Sequence, residues 1–250
     1  MRCLVNLLDM TPASLLIPRS SQILTHVTAA LSAGPVSVQE GCINAIMSLA
    51  ESIRGEQLAT YYDSIMPFLK QVLDHARSKG LDTLWGLALE CLALVGESSG
   101  KDKFSSDAVE MMNSLVTLQN SLSEDSEARR PLMKAWVRIA RCLGAEFLPY
   151  MQLVMQKLLI AIGQDVTAGT GDIDLDDLDN RDDIDLLETD DGGWIAVRTA
   201  AVEEQVDACQ LLILLVERLQ EHFYPYVEQT VRTIAPLLRS PHEGKLYIII

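Results

Sequence analysis

The densest chemistry in the sequence lies between Asp172 and Asp191, where eleven carboxylates and a single arginine fall within twenty residues. Asp172, Asp174 and Asp176 stand at the first, third and fifth positions of a calcium loop. The match ends there: position six, which needs glycine for its sharp turn, is Asp177, and position twelve is Asp183 instead of a bidentate glutamate. A second pattern, Gly96-Glu97-Ser98-Ser99-Gly100, fits G-x-S-x-G. A nucleophilic serine in that pattern needs a strand before it and a helix after it, to hold the hydroxyl on a strained turn. Here a helical pattern precedes it, so the residues read as a helix-terminating loop. His26, His75, His222 and His242 are scattered, no Cys-His spacing suits zinc, and the glycines form no phosphate loop. We therefore expect no catalysis, no cofactor and no metal site.

What remains for the acidic run is electrostatics. Asp172, Asp174, Asp176, Asp177, Asp179, Asp182, Asp183, Asp185, Glu188, Asp190 and Asp191, with Trp194 just beyond, supply most of a net charge of −15. One reading is a solvated spacer held open by self-repulsion. The other is a lure for a basic segment, or an internal competitor for one. The apolar residues Ile173, Leu175, Leu178, Ile184, Leu186 and Leu187 interspersed in the run lean towards the second. The charge argues against direct nucleic-acid binding, which needs clustered Lys and Arg to neutralise phosphates, and favours a basic protein partner.

The five cysteines, Cys3, Cys42, Cys91, Cys142 and Cys209, are far apart and odd in number, as expected for reduced core residues in a cytoplasmic or nuclear setting. The longest strongly apolar run, Leu211 to Val216, is far short of a membrane span, and the N-terminus has too short an apolar stretch for a signal peptide. A soluble protein with no membrane partner follows.

The elements around the run are regular. Three segments begin alike, YYDSIMPFLKQVL at Tyr61, YMQLVMQKLLIAI at Tyr150 and YVEQTVRTIAPLL at Tyr226, and weaker copies begin near Arg19 and Asp107. Starts at 19, 61, 107, 150 and 226 give steps of 42, 46, 43 and 76. The first three match the roughly 40 to 47 residues of a two-helix HEAT or armadillo-type unit. The last step contains the acidic run. Each tyrosine segment is preceded by a helical stripe, such as Ile43, Ile46, Met47, Ala50 and Ile53, or Leu84, Leu87, Ala88, Cys91, Leu92 and Val95. Pro131 suits a helix start and Gly144 a helix stop. No stretch alternates as a strand with turn signals at both ends. The expected fold is all-α, a right-handed α-solenoid of HEAT/armadillo-like helix pairs over 1–250. It would hold about five repeats, the first and last incomplete, with an acidic loop insertion within a repeat at 163–196.

In their order, several stretches resemble the middle part of an importin-β-type karyopherin, closest to its importin five branch. They are LATYYDSIMPFLK, LECLALVGESSGKDKFSSDAVEMM, AWVRIARCLGAEFLPYMQLVMQKLL, DDGGW with VRTAAVEEQVDACQLL, and PLLRSPHEG, together spanning about residues 1 to 244. The segment between Trp194 and Val197 is shorter than the family's loop, and the closing KLYIII fits neither the family nor a helix cap. The resemblance implies a nuclear import receptor of the cytoplasm and nucleus. Its concave face would bind lysine-rich localisation signals of basic cargo proteins, and it would engage nuclear pore proteins. It would also answer to the Ran GTPase through repeats absent from this chain. The family's inner row corresponds to the second helix of each pair, which nominates Tyr61, Tyr62, Asp63, Asp107, Glu110, Tyr150 and Gln152 as cargo-binding residues. A tyrosine recurring once per repeat suits inter-repeat packing equally well. The rival function is a HEAT scaffold holding a stable complex without transport cargo. Both chain ends cut repeats open, so the isolated chain is expected to self-associate. Light scattering at tens of micromolar checks this, and a monodisperse monomer would contradict it.

Overall fold

A helix pair of this kind has two apolar faces and can cover neither by itself, so its helices must stack in rows. The computed structural model describes residues 2–119, 129–169, 184–188 and 194–237, and the chain divides into two compact units, Met1–Leu143 and Gly144–Ile250.

In the first unit α1 (Arg2–Met10), α2 (Ala13–Leu16) and a 3-10 turn (Ile17–Arg19) lead into α3 (Ser20–Ala33) and α4 (Val36–Ser52). The chain continues through α5 (Glu56–Ala59), α6 (Tyr62–Lys79), α7 (Asp82–Ser99), α8 (Lys101–Gln119) and α9 (Arg129–Leu143). One row is formed by α1, α4, α7 and α9, each packed on the next; α3 and α6 neighbour each other in a second row, and α8 packs on α7 and α9. Two tight turns reverse the chain between rows. Gly34 and Pro35 join α3 to α4, and Gly80, at φ 65°, closes α6 by donating its N–H to Ala76 O and Arg77 O.

The centre of this unit is α7. Its Leu84, Trp85, Ala88, Leu89, Cys91, Leu92, Ala93, Leu94 and Val95 are all buried, because α4, α5, α6, α8 and α9 all pack on it. The stripe read from the sequence is one face of a helix that is apolar almost all round, as a fully enclosed helix must be. The G-x-S-x-G residues are not a loop: Gly96 to Ser99 form the last turn of α7. Gly96 is where the Phe104 ring of α8 presses on α7, and a Cβ built there would lie 2.3 Å from that ring. Ser98 is buried and its carbonyl accepts the Gly55 N–H at 2.8 Å. The pattern's small residues allow close packing, and the strand that a nucleophile turn needs before it is a helix here.

The second unit opens with a 3-10 turn (Gly144–Tyr150) into α10 (Met151–Gly163). After the acidic segment come α11 (Thr199–Leu219), another 3-10 turn (Gln220–Tyr226) and α12 (Val227–Leu237). Both α11 and α12 pack on α10. The two 3-10 turns are copies: Phe147 and Tyr150 in one, Phe223 and Tyr226 in the other, place their rings 5.9 Å apart, tilted by 53° and 46°. Buried Gln205 of α11 donates its side-chain amide to the Ile162 carbonyl at the end of α10.

The helical solenoid class is as the sequence indicates, with one addition. Three short strands, β1 (Thr167–Gly169), β2 (Ile184–Glu188) and β3 (Trp194–Arg198), form an antiparallel sheet in the order β1-β3-β2. The segment enters through Val166 and leaves through Val197, which are buried together against Ala201 and Val202 of α11. Arg198 N–H donates to the Val166 carbonyl at 2.9 Å. Among the described residues no helix is long and apolar enough to cross a membrane.

Gly96→Ala should destabilise the protein by about 1–3 kcal/mol, the usual range for overpacking a close-packed core. Denaturant unfolding measures it, and Phe104→Leu in the same chain should recover part of the loss. Full stability in the single variant would show that the ring moves aside freely.

Candidate functional site

The second row carries most of the sequence candidates of the first unit, and its polar side chains reach from each helix to the next. The Ser20 hydroxyl of α3 donates to the Tyr61 hydroxyl at 2.9 Å. One residue on, Tyr62 is buried at 4% exposure and sends its hydroxyl to Asp107 Oδ2 of α8 at 2.5 Å. Lys70, two turns along α6, places its ammonium 2.9 Å from Asp107 Oδ1 and 2.6 Å from Glu110 Oε2. In the opposite direction Lys103 of α8 reaches Asp63 Oδ2 of α6 at 2.8 Å.

The geometry follows from helix periodicity. Asp107 and Glu110 are three apart on α8 and so share a face, on which one ammonium can meet both. Charge follows geometry. Partial burial disfavours the Asp107 carboxylate, but the Tyr62 hydroxyl and the Lys70 ammonium outweigh that and hold its pKa below the ordinary 3.8. Burial likewise works against the Lys70 ammonium, and its bonds to Glu110 and Asp107 raise its pKa nonetheless. Burial raises the Tyr62 phenol, with the hydrogen bond to Asp107 and the nearby carboxylates adding to it, so Tyr62 is a permanent donor.

The structure thus joins Tyr62, Asp107 and Glu110 in one cluster around Lys70, and gives Tyr61 and Asp63 separate partners. No candidate carboxylate of this row is a bare acceptor. Lys70 and Lys103 complete the site, and the signal that could have found them is opposite charge one repeat apart, at separations of 37 and 40 residues. The first row has the same habit: Glu97 of α7 takes Arg138 at 3.0 Å and Arg141 at 2.7 Å from α9, and Glu90 takes Lys134 at 3.3 Å.

In the second unit Tyr150 is half-buried with its ring on Phe147, and Gln152 is exposed on the first turn of α10. Of the acidic run, Asp185 and Glu188 lie on β2, opposite Val197 and Trp194 of β3. Asp172, Asp174, Asp176, Asp177, Asp179, Asp182, Asp183, Asp190 and Asp191 lie outside the described residues.

The Asp107 shift has a sign that can be measured. Its folded pKa is depressed, so its contribution to stability is present above the unfolded value of 3.8 and is lost as pH falls through the lower folded value. Asp107→Asn should therefore be less stable than the parent near neutral pH, and the gap should close as pH drops below 3.8. Urea unfolding of both proteins across that range checks it, and a gap independent of pH would contradict it.

The comparisons with known proteins fit this architecture. The family model for importin subunit beta-1-like TPR repeats matches residues 9–181. Importin subunit beta-3 of Saccharomyces cerevisiae is 32% identical over 236 residues, covering 93% of this chain and 21% of that protein. The probable importin-5 homolog of Dictyostelium discoideum is 28% identical over 227 residues, 91% of this chain and 20% of its own length. A solved structure of Kap121p bound to Pho4p is similar at a TM-score of 0.76 and 31% identity, over 93% of this chain and 22% of that one. Kap121p bound to Nup53p matches at 0.75, with the same identity and coverage. The chain thus spans about a fifth of the length of these relatives. With a family match over residues 9–181, the chain belongs to the importin-β-type karyopherin family.

Proposed function

We propose that the chain is part of a nuclear transport receptor, working between cytoplasm and nucleus, and that the second row of helices takes lysine-rich extended segments of basic cargo proteins. The observation that carries this reading is the manner in which the row holds its own lysines. Carboxylates on helices one repeat apart grip ammonium groups at 2.6 to 2.9 Å, at Asp107 with Glu110 and again at Asp63. Surfaces that seat an ammonium in this way, beside long side chains on which a lysine stem can lie, suit a basic extended peptide. A net charge of −15 draws such a peptide in from a distance.

The relatives support the same direction. Kap121p has been solved with Pho4p, with Nup53p and with the extreme C-terminus of the protein phosphatase Cdc14p. Carried to this chain, they favour binding of cargo and of nuclear pore proteins, with Ran acting on repeats outside this segment. On this reading the protein binds and carries, and catalyses nothing. The acidic run would act as a lure or a competitor for the same basic segments.

Fluorescence anisotropy of a labelled lysine-rich peptide, at low and at physiological salt, tests the proposal. Binding should weaken as salt screens the contacts, and Asp107→Asn with Glu110→Gln should weaken it further. Absence of binding at low salt, with circular dichroism showing folded helices, would overturn it.

A further inference from the structure

We propose that Lys70 is a built-in competitor that occupies the position a partner's lysine would take, and so sets how many lysines a partner needs to bind. The inference rests on the reading above and names its control element.

Three observations lead to it. First, the buried Tyr62 hydroxyl donates to the other oxygen of the Asp107 carboxylate at 2.5 Å, a tie that does not involve Lys70. The acceptor is therefore preorganised for an ammonium from any source. Second, the Lys70 side chain is 34% exposed and its Glu110 partner 67% exposed, so the pair meets solvent and an incoming ammonium can reach it. Third, Lys70 has somewhere else to go. Lys70, Asp74, Arg77 and Glu110 line one crevice of about 130 Å3, with Trp85 and Leu89 also in its wall. Asp74 stands four residues after Lys70 on α6, within reach along the same helix face. It forms no ion pair or hydrogen bond with another described side chain.

Exchange of one ammonium for another is nearly neutral in charge. The cluster loses Lys70 and gains the partner's lysine, Lys70 moves to Asp74, and the number of paired carboxylates rises by one. A single lysine gains little from such an exchange, since exposed pairs are individually weak. A partner with several lysines on one chain repeats the exchange at the next ammonium–carboxylate pair between α6 and α8, where linkage makes the later step intramolecular. Lys103 on Asp63 offers the neighbouring position. The device rejects stray basic groups and admits a multiply basic segment.

The experiment uses the full chain and a labelled lysine-rich peptide, with saturation binding shown first by anisotropy. Amine acylation read by mass spectrometry then follows Lys70 with and without peptide. Displacement predicts that Lys70 reacts faster when peptide is bound, the opposite of the protection expected for a lysine merely covered by a ligand. In parallel, Lys70→Met keeps the stem and removes the charge, and should tighten peptide binding by up to about fivefold, the worth of one exposed pair. An unchanged or slower Lys70 reaction in a protein that does bind peptide overturns the proposal and leaves the function intact. Equal or weaker binding by a folded Lys70→Met variant does the same, and assigns Lys70 to stapling α6 to α8. No peptide binding by the parent protein overturns both.

Discussion

In the first unit each row depends on burial of an apolar face against the helix one repeat away, α1 on α4, α4 on α7 and α7 on α9. That constraint shows in the hydrogen bonds as clearly as in the core. Side-chain bonds between distant residues join positions 41, 45, 37 and 40 apart along the second row. In the first row they join positions 44, 41 and 44 apart. These separations are the length of a repeat. They arise because stacked pairs bring equivalent positions side by side, so any polar group near the seam meets a group about one period away.

Magnitudes decide which interaction holds and which one aligns. A fully buried leucine or isoleucine contributes about 1.5–3 kcal/mol, and an exposed ion pair about 0–1 kcal/mol. The leucines and alanines of α7, enclosed by five neighbouring helices, therefore supply the cohesion. The pairs Lys70–Asp107 and Arg138–Glu97 contribute registry: a helix that slid by one turn would keep much of its apolar contact but lose its partners. They also moderate repulsion. A strongly acidic chain that placed Asp63, Asp107 and Glu110 along one row without lysines would pay for it in self-repulsion, and Lys70 and Lys103 remove that cost while leaving the row rich in carboxylates.

The periodic features were legible in the sequence, and the features that join two periods were not. The tyrosine series at Tyr61, Tyr150 and Tyr226 marks the starts of the second helices, within a residue of where α6, α10 and α12 begin. Yet Tyr61 and Tyr62, adjacent and alike in type, differ in environment: one is half-buried and accepts a bond from Ser20, the other is buried and donates to Asp107. No local pattern separates them, because the distinction is made by residues 41 and 45 positions away. The G-x-S-x-G match misleads for a related reason. Glycine and serine serve close helix contact as readily as they serve a nucleophile, and only Phe104 shows which use applies. The strands escaped because each is five residues or fewer and the sheet is stabilised by pairing, not by propensity.

The placement of the acidic segment can be argued from chain entropy. Successive helices α3 and α4 are joined by Gly34 and Pro35, and α6 and α7 by Gly80 and Leu81, whereas α10 and α11 are joined by residues 164 to 198. Lengthening a two-residue connection to this extent costs about 2–3 kcal/mol of loop closure. Burial of Val166 and Val197 against Ala201 and Val202 offsets that cost, at about 1.5–3 kcal/mol for each buried valine. The backbone bond from Arg198 to Val166 then fixes both ends of the segment together at the base of α11. Because the ends are closed there, the helices on either side pack as they would around a short turn.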